Sequence, residues 1–532
     1  MTKNYILMKK LSLVIFISFF SGPTFAQLVY SDVAPIFINR CDGCHHENQH
    51  APSFITYSQV ISHASTITAY LNSNYMPPWS PDTTYSRFSH EHLISTPEKN
   101  AILNWIANGT PAGDTTLAPA PPVYPQYQLY GAPDLELKIP TFTSNASTND
   151  SYVCFSIPTG LTQNRIIRAY EIVAGNATIV HHVIANIDTL GTTTSDLTGA
   201  CYNISGDFSI GGYAPGASPT VFPSSGPLKM GISIKSGSKI VLQIHYPAGT
   251  AGVQDSTKIR IYFYPPGTTG VRPVYVTTPL QNWSLYIPAN TVKTFTAQYP
   301  ASGTLPYSIS MFSAFPHSHK LATFMVNYAY AATDTIPLIR INNWNFDWQG
   351  YYTFKQLVKV PNGYKLYSRH IFDNTTSNPN NPSSPPVTVI AGTSTTNEML
   401  FDSFQWLIYE PGDELYNIDS MLSQEYVVNG INEHISRVSS DLRTYAYPNP
   451  FENKVNIGYF ISETSKVTIE IYSILGTKLK TLQSNQEMSG THEIIWDGRD
   501  DAGRKIANGS YIYIVKAGNK QSYGKLSLMP VK

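Results

Sequence analysis

Short apolar runs, each stopped by proline or glycine, limit what this chain can fold into. Ile179-Val180-His181-His182-Val183-Ile184 is strand-like, and Ile240-Val241-Leu242-Gln243-Ile244-His245 is a second such run, ending at Tyr246-Pro247. Lys258-Ile259-Arg260-Ile261-Tyr262-Phe263-Tyr264 alternates and stops at Pro265-Pro266-Gly267. Runs of this length, rich in β-branched and aromatic residues and bounded by turn formers, predict strands. Their spacing from about residue 134 onward predicts β-sandwiches. The 38 Pro, 34 Gly and 36 Tyr among 532 residues suit many short strands joined by turns, and the length suggests three or four domains. Only 13% of residues are charged and the formal net charge is zero, which excludes nucleic acid as a partner.

Lys9 and Lys10 precede an apolar run over residues 11–20, followed by Gly22-Pro23-Thr24-Phe25-Ala26. This pattern predicts a secretory signal peptide over 1–26, cleaved before Gln27. The run is too short to span a bilayer comfortably, and no other stretch is long enough, so no transmembrane segment is expected. The mature protein is expected to be secreted or attached to the cell surface. In that oxidising setting Cys154 and Cys201, far from the other two cysteines, read as a disulfide.

The remaining cysteines form Cys41-Asp42-Gly43-Cys44-His45. In C-x-x-C-H two thiols attach haem covalently and the histidine takes an axial iron position. A redox dithiol is the alternative, but it usually sits in a βαβ context that is not found here. Met76, in Tyr75-Met76-Pro77-Pro78-Trp79, is the candidate second axial ligand, and such a ligand raises the haem potential. The alternative for Met76 is core packing under a loop. Thr96 as N-cap, Pro97 at the first helical position and the stripe Ile102, Leu103, Ile106 predict a closing helix that ends at Asn108-Gly109. In motif order, residues 27–114 resemble a small class of bacterial c-type cytochrome domains, which implies a small α-helical fold holding one haem c. The Pro-rich composition that follows predicts a semi-rigid linker over 115–133.

Histidine pairs punctuate the β region. In Phe315-Pro316-His317-Ser318-His319 the i, i+2 spacing puts two imidazoles on one face of a strand, which suits a metal. The alternative is a polar strand face beside a turn. His181 and His182 face opposite sides of a regular strand and reach one metal only at a bulge or a strand end. His-His, a lone histidine after an aliphatic strand, His-x-His, and then Gly392-Thr393-Ser394-Thr395-Thr396-Asn397-Glu398-Met399 together resemble the copper type II, ascorbate-dependent monooxygenases. That family includes peptidylglycine α-hydroxylating monooxygenase and dopamine β-monooxygenase. Asp150-Ser151-Tyr152-Val153-Cys154 also looks like the start of their first domain, where the cysteine is disulfide-bonded.

The resemblance implies two tandem jelly-roll-like β-sandwich domains, over 134–268 and 269–430, with one copper each facing the other across solvent. His181, His182 and His245 would bind one copper. His317, His319 and Met399 would bind the other and carry the catalysis. A soft thioether favours Cu(I), the state that must meet O₂. This chain departs from the peptide-amidating members: Phe315 stands where they carry a substrate-anchoring Arg, and Phe401 and Ser403 replace an Asn and a Tyr. Peptide-glycine substrates are therefore not expected, and a small apolar or aromatic organic substrate suits the site better.

Residues 441–532 open with Tyr447-Pro448-Asn449-Pro450-Phe451 and continue through Val467-Thr468-Ile469-Glu470-Ile471-Tyr472 and Trp496-Asp497-Gly498-Arg499-Asp500. This tail resembles the immunoglobulin-like C-terminal sorting domain of the type IX secretion system, which implies that machinery as a partner and a passage through periplasm and outer membrane. The expectation is a mainly β, secreted monooxygenase with two copper ions and one haem c. It would hydroxylate a C–H bond with O₂ and take electrons from an external donor through the haem. The rival is a non-catalytic surface binding or electron-transfer protein with metal-bearing sandwiches.

Overall fold

A computed structural model describes residues 27–46, 51–120, 129, 131–202, 204–214, 218–423, 425, 442–447, 451–461, 463–473, 477–488, 490–518 and 520–528. The expected signal peptide lies outside the described residues, as do parts of the linker and of the opening of the tail. The protein is mainly β. Among the described residues no helix is long and apolar enough to cross a membrane.

The N-terminal module is helical, with helices Tyr30–Arg40, Tyr57–Ser62, Ala64–Asn72 and Thr96–Ala107. Tyr30, Val33, Phe37, Phe54, Ile102 and Trp105 close its core. The last helix starts one residue earlier than expected. Ser95 is the N-cap, and it exchanges hydrogen bonds with Glu98 in a capping box.

Two β-sandwiches follow. In the first, a sheet containing Leu135–Lys138, Lys258–Phe263, Arg165–Val173 and Lys229–Ile234 faces a sheet ordered Asp196–Gly199, Ser151–Pro158, Lys239–Tyr246, His182–Asp188, Phe208–Tyr213. Ile167, Ile259 and Met230 of one sheet share a core with Val153, Ala185 and Ile244 of the other. Such alternation of inward apolar positions is what a sandwich requires. The Cys154–Cys201 disulfide forms as expected and closes a sequence separation of 47. Leu129, from the expected linker, is buried in this core.

The second sandwich pairs the sheet Tyr275–Gln281, Phe401–Ile408, Ile309–Phe315, Tyr352–Val360 with the sheet Thr291–Tyr299, Lys365–Asn374, Ala322–Tyr330, Thr335–Ile341. Phe312, Leu357 and Leu407 reach into the core of the first sandwich, so the two share buried apolar surface. The helical module is also docked here. Pro81 bridges to Ile341 and Phe88 to Phe354, and Phe88 is buried in the second core. Asp82 takes hydrogen bonds from Arg340 (2.7 Å) and Asn342 (2.7 Å).

The C-terminal unit is a separate sandwich. A three-stranded sheet, Leu442–Tyr447, Val455–Ile461 and Gly490–Trp496, faces a four-stranded one, Lys478–Glu487, Ser465–Ser473, Gly509–Ala517 and Lys520–Leu528. Trp496, Val467, Ile469 and Val515 fill its core.

Candidate metal centres

The first centre is built by strand register. His245, near the end of Lys239–Tyr246, pairs with Tyr152 on one side and His182 on the other. The strand carrying His182 begins at that residue. His181 precedes it and donates its backbone N–H to the His245 carbonyl at 3.0 Å. Of the two ways adjacent histidines can converge, the protein uses the strand end.

His181 Nδ1 lies 3.1 Å from His182 Nδ1, which lies 3.4 Å from His245 Nδ1. Two nitrogens held about 2.0–2.1 Å from one ion in tetrahedral array sit roughly 3.3 Å apart. The spacing therefore fits three imidazoles around a single metal ion. Burial, followed by repulsion from the His245 imidazole, pushes His181 down to about 4 and holds His182 well below its ordinary value. Both are then neutral at pH 7, as metal ligands must be.

Outside the ring of nitrogens, Asp150 Oδ2 stands 3.3 Å from His245 Nε2. At that distance the pair is off line for a good hydrogen bond, since Nε2 has no aligned acceptor. The Tyr152 ring stacks on His245 at 4.3 Å. Asp150 also accepts from Thr395 Oγ1 at 2.8 Å, which ties the first centre to the loop leading to Met399.

His317 and His319 do not lie on a strand as expected. The strand Ile309–Phe315 ends before them, and they occupy a segment without strand pairing. Carboxylates substitute for the missing ladder. Glu398 accepts the backbone N–H groups of His319 (2.9 Å), Leu321 (2.6 Å) and Met399 (3.2 Å), and Asp402 accepts that of His317 (3.2 Å). Phe401 N–H donates to the His317 carbonyl at 3.1 Å. These bonds lay residues 397–401 beside 317–321 and bring the Met399 backbone next to the histidine pair.

Both imidazoles are oriented through Nδ1. His317 Nδ1 bonds Gln349 Oε1 at 2.6 Å, and His319 Nδ1 bonds the Asn397 carbonyl at 3.0 Å. Because those acceptors require N–H on Nδ1, each Nε2 keeps its lone pair, as ligating histidines held by an outer partner do. Burial lowers His317 and takes His319 down to about 3. The resemblance implies centres facing across solvent. Here the Phe346 ring, itself buried, lies 5.0 Å from His181 and 5.9 Å from His319 and touches both.

In the helical module Cys41 and Cys44 are unbonded thiols on the turn after the first helix. Burial pushes the Cys41 thiol up to about 12 and raises Cys44 as well. His45 is buried, with Nδ1 2.8 Å from the Pro52 carbonyl, which leaves Nε2 free for a metal. This donor set fits a covalently attached haem. Met76 sits partly buried in its loop. Its neighbour Tyr75 packs against Trp348 at 5.9 Å, one residue from the Gln349 that holds His317.

Gln349, Asp150, Glu398, Asp402 and Phe346 escape sequence reasoning as site residues. Only Glu398 and Asp150 lie inside quoted motifs, and nothing local marks the other three.

Comparison with known proteins bears on the tail. Residues 452–521 match the family described as the FlgD Ig-like domain. The match agrees with the immunoglobulin-like sandwich seen there. The chain has no match among curated proteins. Among solved structures it is similar to PorZ, described as an essential surface component of the type-IX secretion system of Porphyromonas gingivalis, at 19% identity and a TM-score of 0.13, covering 18% of this chain and 12% of PorZ. Latent PorU from the same organism matches at 12% identity and a TM-score of 0.16, covering 72% of this chain and 34% of PorU. A Bacteroides uniformis β-glucuronidase matches at 8% identity and a TM-score of 0.12, covering 44% of this chain and 27% of the enzyme. The chain thus spans about an eighth of PorZ and a third of PorU. TM-scores this low carry no argument about function.

Proposed function

We propose that the chain is a secreted copper-dependent monooxygenase that hydroxylates a C–H bond of an organic substrate with O₂, with electrons supplied through a fused haem c. The observation that carries this reading is the convergence of three Nδ1 atoms 3.1 and 3.4 Å apart, beside a second imidazole pair with both Nε2 atoms left free. His181, His182 and His245 would hold one copper, and His317, His319 and Met399 the other. Copper bound there supplies O₂ activation and one-electron storage, and haem held by Cys41, Cys44, His45 and Met76 supplies one-electron delivery.

The chain's own residues do the rest. Gln349 and the Asn397 carbonyl fix the tautomers of His317 and His319. Phe346, buried between the two centres, would present an apolar ring to both. Phe315, 6.1 Å from the His317 ring and 4.9 Å from Tyr351, presents an apolar wall where a peptide carboxylate would need a cation. Ser403 is engaged with Thr278 Oγ1 at 2.7 Å and is not free to anchor substrate. These contacts support an apolar or aromatic substrate. The packing of Tyr75 on Trp348 supports delivery from the haem module to the second sandwich. The Ig-like tail supports export by type IX secretion and release or attachment at the cell surface.

The test is copper stoichiometry measured beside product formation over a panel of C–H substrates. The parent should bind two coppers per chain. Met399→His should keep both yet lose hydroxylation, because imidazole binds copper but does not favour Cu(I) as a thioether does. A parent that binds only one copper, or a fully active Met399→His, overturns the proposal.

A further inference from the structure

Behind the His-x-His segment runs a chain of buried polar groups that no motif announces. Asp402 Oδ2 accepts from Asn327 Nδ2 at 2.7 Å and from Ser368 Oγ at 2.5 Å, and it lies 3.1 Å from His370 Nε2. Its other oxygen accepts the His317 backbone N–H. On the far side of the ring, His370 Nδ1 lies 2.8 Å from Ser318 Oγ, and Ser318 Oγ donates to the Met399 carbonyl at 2.6 Å. Ser318, Asn327, Ser368, His370 and Asp402 are all fully buried. The chain links strands of both sheets of the second sandwich to the backbone on each side of the candidate centre.

Order and residue types are those of a hydrolase triad, but the placement is not. Ser318 has no exposure, and its proton is committed to a carbonyl, so it is no nucleophile. Donor and acceptor roles follow from the inventory of groups. The Met399 carbonyl only accepts, so the Ser318 hydroxyl donates to it. The Ser318 oxygen must then accept from His370 Nδ1–H. Asp402 Oδ2 already accepts two bonds and accepts a third from His370 Nε2–H. His370 thus donates from both ring nitrogens, Nε2–H to Asp402 and Nδ1–H to Ser318, and Ser318 hands its own proton on to the Met399 carbonyl. Each group is satisfied only when its neighbour is in place, which makes such a buried network rigid.

We propose that His370, acting through Ser318, is the positioning residue that holds the Met399 loop against the His317–His319 segment and so sets where the thioether sits. The middle residue of His-x-His is then a structural link, not a spacer. This inference rests on the proposed assignment of His317, His319 and Met399 as copper ligands.

The test uses the full chain with Ser318→Ala, which removes only the last link, and His370→Gln, which breaks the middle. The first readout needs no metal: amide hydrogen exchange over residues 396–401 in chelator-treated protein. Exchange there should be about tenfold faster in both variants, with the strands Lys365–Asn374 and Phe401–Ile408 past their first residues unchanged in Ser318→Ala. The second readout is X-ray absorption of the Cu(I)-loaded protein. The parent should show sulfur scattering, and Ser318→Ala should lose it while keeping both coppers. Parental exchange and parental sulfur scattering in Ser318→Ala overturn the role of the link. A parent without any sulfur scattering overturns the ligand assignment itself, and with it this inference.

Discussion

Replacing His319 by Gln should flatten the acid sensitivity of the metal-free protein, and the size of the effect can be worked out. His319 is 4% exposed, and burial, aided by the neighbouring His317 imidazole, takes it down to about 3. In the unfolded chain an imidazole titrates near 6.5. Between those values the unfolded state binds a proton that the folded state refuses, so stability rises with pH across that window and falls on acidification. Each pH unit is worth about 1.36 kcal/mol per group. Going from pH 7 to pH 5 crosses about 1.5 units of the window, so His319 alone should cost the parent about 2 kcal/mol. Other groups titrate too. Glu398, pushed up to about 8 by burial, acts in the opposite sense, since its folded form holds a proton that the unfolded chain releases. Most of those contributions are common to parent and variant, so the difference between the two proteins reads chiefly His319. The assay is urea denaturation of chelator-treated parent and His319→Gln at both pH values, followed by tryptophan fluorescence. The variant should lose about 2 kcal/mol less than the parent. Equal losses in the two proteins would refute the reasoning.

Further outcomes are equally specific. Cys201→Ser opens a loop closed over a sequence separation of 47, and the chain-entropy cost is about 4 kcal/mol, to be read from the urea midpoint of the oxidised parent against the variant. Cys44→Ser should weaken or abolish covalent haem staining, and Met76→Ala should lower the haem potential; undiminished staining or an unchanged potential would contradict the assignment. Gln349→Leu removes the acceptor 2.6 Å from His317 Nδ1 and should weaken copper binding about 10–100-fold at one of the two sites, measured by competition with a chelator. Equal affinity at both sites would show that Gln349 does not orient the ligand.

Strand runs such as Ile240 to His245 and the pairing of Cys154 with Cys201 were legible because their signals are local or follow from compartment chemistry. The adjacent His181 and His182 left two geometries open, and register decided between them: pairing of His182 with His245 starts the strand one residue too late to include His181. His317 and His319 show the opposite failure. Their spacing matches a strand, but carboxylates from 79 and 85 residues away supply the backbone acceptors, so a two-residue period arises without a sheet. Gln349, His370 and Phe346 were invisible for the same reason. Each acts across 27 or more residues of chain, and no local pattern records such a meeting. Ser95 displaced Thr96 as the helix cap because Glu98 sits three residues after Ser95, which completes a capping box.

The strip of the helical module that touches the second sandwich does more than dock it. Thr335–Ile341 and Tyr352–Val360 are the outermost strands of their two sheets. Asp82 N–H reaches the Arg340 carbonyl at 2.8 Å, Ser89 N–H reaches that of Thr353 at 2.7 Å, and Lys355 N–H reaches that of Arg87 at 3.0 Å. One borrowed segment thus blocks two edges open to strand addition by another chain, and Phe88 plugs the hydrophobic layer between them. Unpaired outer strands are the usual seed of edge-to-edge aggregation. The helical module is therefore an intramolecular guard for the second sandwich. Shortening the gene to the sandwich region alone would yield a sticky product, and exchanging the module for another domain would succeed only if residues 81–89 were kept.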